Sequence, residues 1–173
     1  MPSNVGFRVT GMYFGAGDSV TDTIRVDVPN DNPTVYDVMV EVVKKVNAGG
    51  VPGVGGFTFD PIFPSDMDSL NSITVEYSAA PKSPYNEGIY FLQENKMSNP
   101  IHVFQYYIFD AEFKQKNNNN QTANFNAPPD APIVDNDIVI WRQVAIMQGA
   151  NGFRRVRADM SRAMQGLKSK QVL

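Results

Sequence analysis

The residues that could carry chemistry are few. The chain of 173 residues has no cysteine and one histidine, His102. Disulfides, thiolate catalysis and cysteine-based zinc sites are therefore excluded, and any serine-based triad would have to use His102. Because His102 stands beside Pro100 at the start of an apolar run, we expect it to be a hydrogen-bonded residue of a strand. One imidazole is also too few for a histidine-based metal site.

Two groups of aspartates offer oxygen ligands, which hard cations prefer. Neither group has the spacing of an EF-hand loop or a glutamate at the closing position, and nothing selects a carboxylate pair for glycoside hydrolysis. Capping of turns explains them, so we predict no catalytic residue, no cofactor and no metal. The groups are Asp60, Asp66 and Asp68, and Asp130, Asp135 and Asp137.

The segment from Gly49 to Gly56 holds five glycines, which suggests a phosphate cradle. It lacks the Lys-Ser/Thr ending of a P-loop, and it follows a predicted helix instead of joining a strand to one. We therefore predict a flexible loop at the helix exit. Together with the turn-rich stretch from Asp60 to Ser69, it would form one long connection.

Seven aromatic residues form a belt near the middle of the chain. Most of them are expected in the core, and a stacking platform for nucleic acid is the alternative. The net negative charge of residues 1–152 opposes binding to a phosphate backbone, whereas tyrosine and phenylalanine are common in protein interfaces. The belt comprises Tyr85, Tyr90, Phe91, Phe104, Tyr106, Tyr107 and Phe109.

The C-terminal stretch has a charge opposite to that of the rest of the chain. Residues 153–173 hold six basic residues and one acid, whereas residues 1–152 hold 9 basic and 17 acidic residues. Apolar residues recur there at steps of three and four, which predicts an amphipathic basic helix. We name residues 153–173 the arm, and the expected partner-binding residues are Phe153, Arg154, Arg155, Val156, Arg157, Met160, Arg162, Met164 and Leu167.

Four surfaces could receive the arm: its own sheet, a neighbouring copy or different subunit, an anionic membrane surface, or nucleic acid. We favour protein subunits, because an acidic body of the same chain type offers the complementary charge. Head-to-tail contacts of this kind produce rings or filaments. The segment from Gln148 to Gly152 would be the hinge.

The sequence of residues 1–147 predicts strands around one helix. Asn32 suits the N-cap, Pro33 the first helical position, and Gly49 the left-handed cap at the end. The buried helical stripe is predicted to be Val35, Val38, Met39, Val42 and Val46. Strands are predicted over Val5–Phe14, Thr23–Val28, Ile73–Tyr77, Ile89–Gln93, Ile101–Phe113 and Ile138–Ile146. This order predicts an α+β fold with one main helix packed on a mixed or antiparallel sheet.

Two segments resemble a known family. The helix start carries Thr34, Val35 and Asp37, and a late strand is introduced by Asp135, Asn136 and Asp137, followed by Ile138 and Trp141. Both resemble motifs of the β-grasp domains related to the C-terminal domain of transcobalamin, with Asn136 in place of a glycine. The resemblance spans roughly residues 5–146 and implies a β-grasp fold. Transcobalamin binds a corrinoid, but no residue here selects that ligand.

These observations divide the chain into a β-grasp-like body, residues 1–147, and a hinge with the basic arm, residues 148–173. We predict a non-catalytic structural or interaction subunit whose arm docks on a neighbouring subunit. The alternative is a small-ligand-binding module with a pocket walled by loops 49–69 and 79–88. An enzyme using carboxylates ranks below both. The sequence shows neither a signal peptide nor an apolar run of membrane-spanning length, so we expect a cytoplasmic protein.

Overall fold

The computed structural model describes residues 1–10, 21, 23–62, 69–77, 88–95, 97, 101–117, 125–149 and 152–155. Within these residues the protein is mixed α+β, with a single helix and two sheets, as the coarse fold class predicted. The elements are β1 (Val5–Thr10), β2 (Ile24–Val26), α1 (Val35–Asn47), β3 (Val54–Ile62), β4 (Ser69–Tyr77), β5 (Gly88–Gln93), β6 (Ile101–Phe109), β7 (Ile138–Gly149) and β8 (Gly152–Arg155).

The main sheet has the strand order β2-β1-β7-β6. Strand β1 pairs antiparallel with β2 to form a hairpin, whereas β1 runs parallel to β7. Strand β6 is antiparallel to β7 on its other side, and β8 also pairs with β7. Because Ile146 pairs with both Ile101 of β6 and Arg155 of β8, β8 lies on the same side of β7 as β1.

The small sheet consists of β3, β4 and β5, all antiparallel. The prediction of one long connection after the helix was wrong, because β3 begins at Val54 within the glycine-rich segment. The pairing of β3 shifts between Val54 and Gly56, as at a β-bulge. A Cβ at Gly56 would lie 3.1 Å from Oε2 of Glu76, so a glycine leaves room for that side chain.

Helix α1 begins two residues later than the sequence predicted. The N-cap is Thr34 instead of Asn32, since the Thr34 hydroxyl accepts a hydrogen bond from the Asp37 amide at 3.1 Å. The Asp37 carboxylate in turn accepts from the Thr34 amide at 2.9 Å, which completes a capping box. The five predicted stripe residues are all buried, and Gly49 has a φ of +71° after the last turn, as predicted.

One hydrophobic core lies between the inner face of the main sheet, α1 and the inner face of the small sheet. Phe7 of β1 meets Phe57 of β3 edge to face, with ring centroids 5.5 Å apart. Trp141 of β7 is fully buried and donates its indole N–H to the sulfur of Met39 at 3.1 Å. The small sheet therefore covers part of the main sheet's inner face and turns its own outer face away from it.

Candidate functional site

The described part of the arm is a strand. Phe153, Arg154 and Arg155 belong to β8, where Phe153 pairs with Gln148 and Arg155 with Ile146, so the predicted helix does not begin at Phe153. The predicted hinge at 148–152 includes the end of β7 and the first residue of β8. The other predicted partner-binding residues lie outside the described residues, and their helix stays a prediction: Val156, Arg157, Met160, Arg162, Met164 and Leu167.

The outer face of the main sheet, which points away from α1, brings three arginines together. Arg8 of β1 shares this face with Gly6, whose register partner on β2 is Arg25. Arg142 of β7 pairs with Thr10 of β1, which places it diagonally beside Arg8. At the described positions of β1, β2, β6 and β7 on this face, the charged residues are all arginines. The pairing of distant strands therefore builds a basic stripe on a chain that is acidic overall.

Aromatic rings lie beside two of these arginines. The Arg142 guanidinium lies 5.6 Å from the ring centroid of Tyr107, and the Arg8 guanidinium lies 5.9 Å from that of Phe113. The Tyr107 ring stacks on Phe109 at 6.4 Å, and its hydroxyl donates to Oε1 of Gln105 at 3.0 Å. Cation–π contacts of this type fix the planes of the guanidinium groups. Tyr107 is nevertheless buried, so much of this face is already covered.

Phe113 stands in a strained turn after β6. Its φ is +62°, a conformation that bulky residues rarely adopt, and its side chain is 52% exposed. The Asp110 carboxylate holds the turn by accepting from the amides of Glu112 and Lys114, both at 2.9 Å. The turn thus keeps an exposed aromatic ring beside Arg8.

The outer face of the small sheet has the opposite charge. Its described residues form two cross-strand rows, Asp60–Ser72–Gln93 and Thr58–Thr74–Phe91, with Glu76 adjoining on β4. Phe91 is 57% exposed, and Asp60 and Glu76 are exposed as well. Strands β3 to β5 contain no lysine or arginine. An exposed aromatic ring therefore lies among carboxylates that receive no counter-charge from their own strands.

The late motif of the β-grasp resemblance forms a turn tied to the N-terminus. The Asp137 carboxylate, nearly fully buried, forms an ion pair with Lys116 and accepts from the Val134 amide at 2.9 Å. Asn136 has a φ of +65°, which an asparagine tolerates. The Asp135 carboxylate accepts from the Ser3 amide at 2.7 Å. Asp137 therefore caps this turn, as the sequence predicted, whereas Asp135 ties the turn to the N-terminus.

Two further titratable residues, His102 and Tyr106, lie on β6. His102 forms a two-way backbone bridge with Asn95, with N–O distances of 2.7 and 2.8 Å. Burial, with a smaller contribution from the negative charge of Asp130, raises the pKa of Tyr106 above its ordinary range. In the part of the chain that the structure describes, no three His, Cys, Asp or Glu residues gather in a way that could hold a metal ion.

Two shallow clefts occur among the described residues, and neither lies between the loops predicted to wall a pocket. One, of about 470 Å³, lies between β2 and the last turns of α1. Its cations are already engaged: Lys45 donates to the Arg25 carbonyl at 2.5 Å, and Lys44 pairs with Glu41 at 2.6 Å. The other, of about 370 Å³, lies beside the N-terminus. The ligand-binding alternative stays a prediction.

Comparison with known proteins returned no match to a protein-family model, a curated protein or a solved structure. Helix α1 is the single helix among the described elements. No helix in this part of the chain is long and apolar enough to cross a membrane.

Proposed function

We propose that this protein is a non-catalytic interaction subunit whose basic arm docks on a neighbouring protein subunit. The observation that carries the proposal is the separation of charge along the chain. Residues 1–152 have eight more acids than bases, and residues 153–173 have five more bases than acids. A chain with both signs on separate parts carries complementary surfaces on one molecule, which favours head-to-tail association.

The layout of the described strands supports the same proposal, because the described part of the arm lies beside β7 in the main sheet. The described part of the arm ends at Arg155, in a strand that pairs with β7 on the side that β1 occupies. Among the residues whose side chains the structure describes, the buried core members all come from residues 5–144. The proposal therefore assigns the arm to an interface with another subunit.

The body is proposed to be a β-grasp domain. Three features support this: a β1–β2 hairpin, a helix that follows it, and a late strand that runs parallel to β1 at the middle of the sheet. The two motifs of the resemblance stand at the start of α1 and immediately before β7. Solving the fold by crystallography tests this point, and a β7 antiparallel to β1 would contradict it.

The test of the function compares the full chain with a chain that ends at Arg155. This truncation keeps every described strand and removes the rest of the arm. Light scattering coupled to size-exclusion chromatography should show concentration-dependent association of the full chain and a monomeric truncated chain. If both stay monomeric, and tagged full chain recovers no partner subunit from its native host that the truncated chain fails to recover, the proposal is wrong.

A further inference from the structure

We propose that the outer face of the small sheet is the acceptor for the arm of a second copy of this chain. This inference rests on the proposed function and deepens it by naming the receiving surface. The acceptor face comprises Thr58, Asp60, Thr74, Glu76 and Phe91. Arm and acceptor belong to different copies, so each copy contributes one of each.

Charge complementarity identifies the occupant. Residues 50–95, which contain the small sheet, hold six acids and one lysine, an excess of five negative charges. The arm has an excess of five positive charges. The basic stripe of the main sheet, in contrast, would repel an arginine-rich segment. Complementary potentials of this kind steer association and fix orientation, while apolar contact supplies most of the affinity.

Phe91 supplies the apolar contact. Its side chain is 57% exposed, lies opposite Thr74, and stands diagonally across from Glu76. An aromatic residue at the centre of an interface is the usual kind of anchor, and acids around it suit arginines. The arm carries apolar residues at helical spacing between its arginines, for example Met160 and Met164 beside Arg162. Methionine adapts well to an aromatic ring, because its side chain is flexible and its sulfur is polarizable.

The direction of β8 favours a second copy over the same chain. Strand β8 lies in the plane of the main sheet, on the side of β7 that β1 occupies. The small sheet covers the inner face of the main sheet, and its acceptor face points away from that layer. The arm of the same copy would have to pass around the small sheet to reach the face, whereas the arm of a second copy approaches it directly.

The experiment uses full-length variants that disable one half of the contact each. The acceptor variant is Glu76→Lys with Phe91→Ser, and the arm variant is Met160→Asp with Met164→Asp. The matched control is Glu112→Lys with Val134→Ser, which makes the same change of charge and also replaces an exposed apolar side chain with serine, at positions outside the small sheet. Far-ultraviolet circular dichroism and Trp141 fluorescence verify that each variant keeps the native fold.

Sedimentation velocity should show that the native chain and the control associate equally. Each disabled variant alone should associate at least about tenfold more weakly, as expected for the loss of a central anchor. A 1:1 mixture of the two disabled variants should form a heterodimer that does not grow further, since one intact arm and one intact acceptor remain. Higher NaCl concentration should weaken that heterodimer, because its charges are exposed.

Three results would overturn the inference, and they separate it from the proposed function. If the acceptor variant associates as well as the control while the arm variant does not, the arm docks elsewhere and the proposed function still holds. If the native chain associates but the mixed variants stay monomeric, the arm does not bind this face of a second copy. If the native chain stays monomeric and captures no partner, both proposals fail.

Discussion

The ion pair between Lys116 and Asp137 offers a sharp test of how this fold is held together. The Asp137 side chain is 2% exposed and that of Lys116 is 22% exposed. Lys116 also donates to the Pro132 carbonyl at 2.8 Å, and the carboxylate caps the Val134 amide. The pair therefore links the segment after β6 to the turn before β7, the central strand of the main sheet.

Replacing one partner should lower the free energy of unfolding by much more than the intact pair contributes to it. The substitution Lys116→Met leaves a buried carboxylate with one remaining hydrogen bond, which typically costs about 3–5 kcal/mol. Because Lys116 is partly exposed, water can reach the carboxylate, and we expect about 3 kcal/mol. The substitution Asp137→Asn keeps an acceptor for the Val134 amide, so its expected cost is about 1–2 kcal/mol.

The double variant should be less destabilised than the sum of the two, because it leaves no isolated charge in the interior. We expect a coupling free energy of about 2 kcal/mol, well above the additivity error of about 0.5 kcal/mol. Urea unfolding, followed by the fluorescence of the single tryptophan Trp141, gives the free energy of unfolding of the native chain, the two single variants and the double variant. With a slope of about 2 kcal/mol/M, Lys116→Met would lower the midpoint by about 1.5 M.

An exposed ion pair provides the control. Lys44 pairs with Glu41 at 2.6 Å on the surface of α1, and the Lys44 side chain is 64% exposed. The substitution Lys44→Met should therefore change the free energy of unfolding by only about 0.3–0.5 kcal/mol. If Lys116→Met costs no more than this control, the Lys116–Asp137 pair does not hold the turn, and the argument from burial is refuted.

Three further perturbations probe other parts of the fold. Thr34→Ala removes half of the capping box and should destabilise the protein by about 1 kcal/mol in urea unfolding, whereas no loss would place the helix start elsewhere. Gly6→Ala would put a Cβ 2.9 Å from the Thr23 methyl group and 3.0 Å from Ile138, and should cost about 1–3 kcal/mol; a neutral result would show that the hairpin relaxes freely. The raised pKa of Tyr106 means that folding favours the neutral phenol, so its contribution is complete below the ordinary value near 10 and is lost as pH rises above it. Tyr106→Phe should therefore reduce the loss of stability above pH 10, and an unchanged pH profile would contradict the assignment.

The helix could be predicted from the sequence because its signal is local. The buried valines and Met39 follow a period of 3.6 residues, and this pattern alone fixes which side of α1 is buried. The start of the helix was misplaced because Asn32, Pro33 and Thr34 are all good residues for a helix beginning. The three-residue spacing from Thr34 to Asp37 was the signal that distinguishes them, since a reciprocal cap needs a side-chain acceptor at that distance.

Strand β3 was missed for a different reason, whereas the sequence predicted strands at β4 and β5. Glycines weaken a strand pattern, so the beginning of β3 resembled a loop. The alternation of Phe57 and Phe59 with Thr58 and Asp60 was the available signal, and it continues directly from the glycines. Missing β3 also affected the functional prediction, because the loop 49–69, which was predicted to wall a ligand pocket, contains this strand.

Neither candidate surface could be derived from the sequence, because each depends on which strands become neighbours. Arg8 and Arg25 lie on the two strands of one hairpin, but their meeting with Arg142 requires the parallel pairing of β1 with β7, two strands separated by most of the chain. Phe91 was assigned to an aromatic belt that was expected mostly in the core. Its ring is exposed because β5 belongs to the small sheet, and the opposite side of this strand packs on the core. Opposite charges therefore occur on the outer faces of two sheets in one protomer. Under the proposal above, the two binding surfaces of one protomer are the acceptor face and the arm, and association through them leaves one of each unfilled at the ends of every open chain. The mixed-variant experiment exploits this property directly, because two copies with one surface disabled in each can form a single contact and nothing larger.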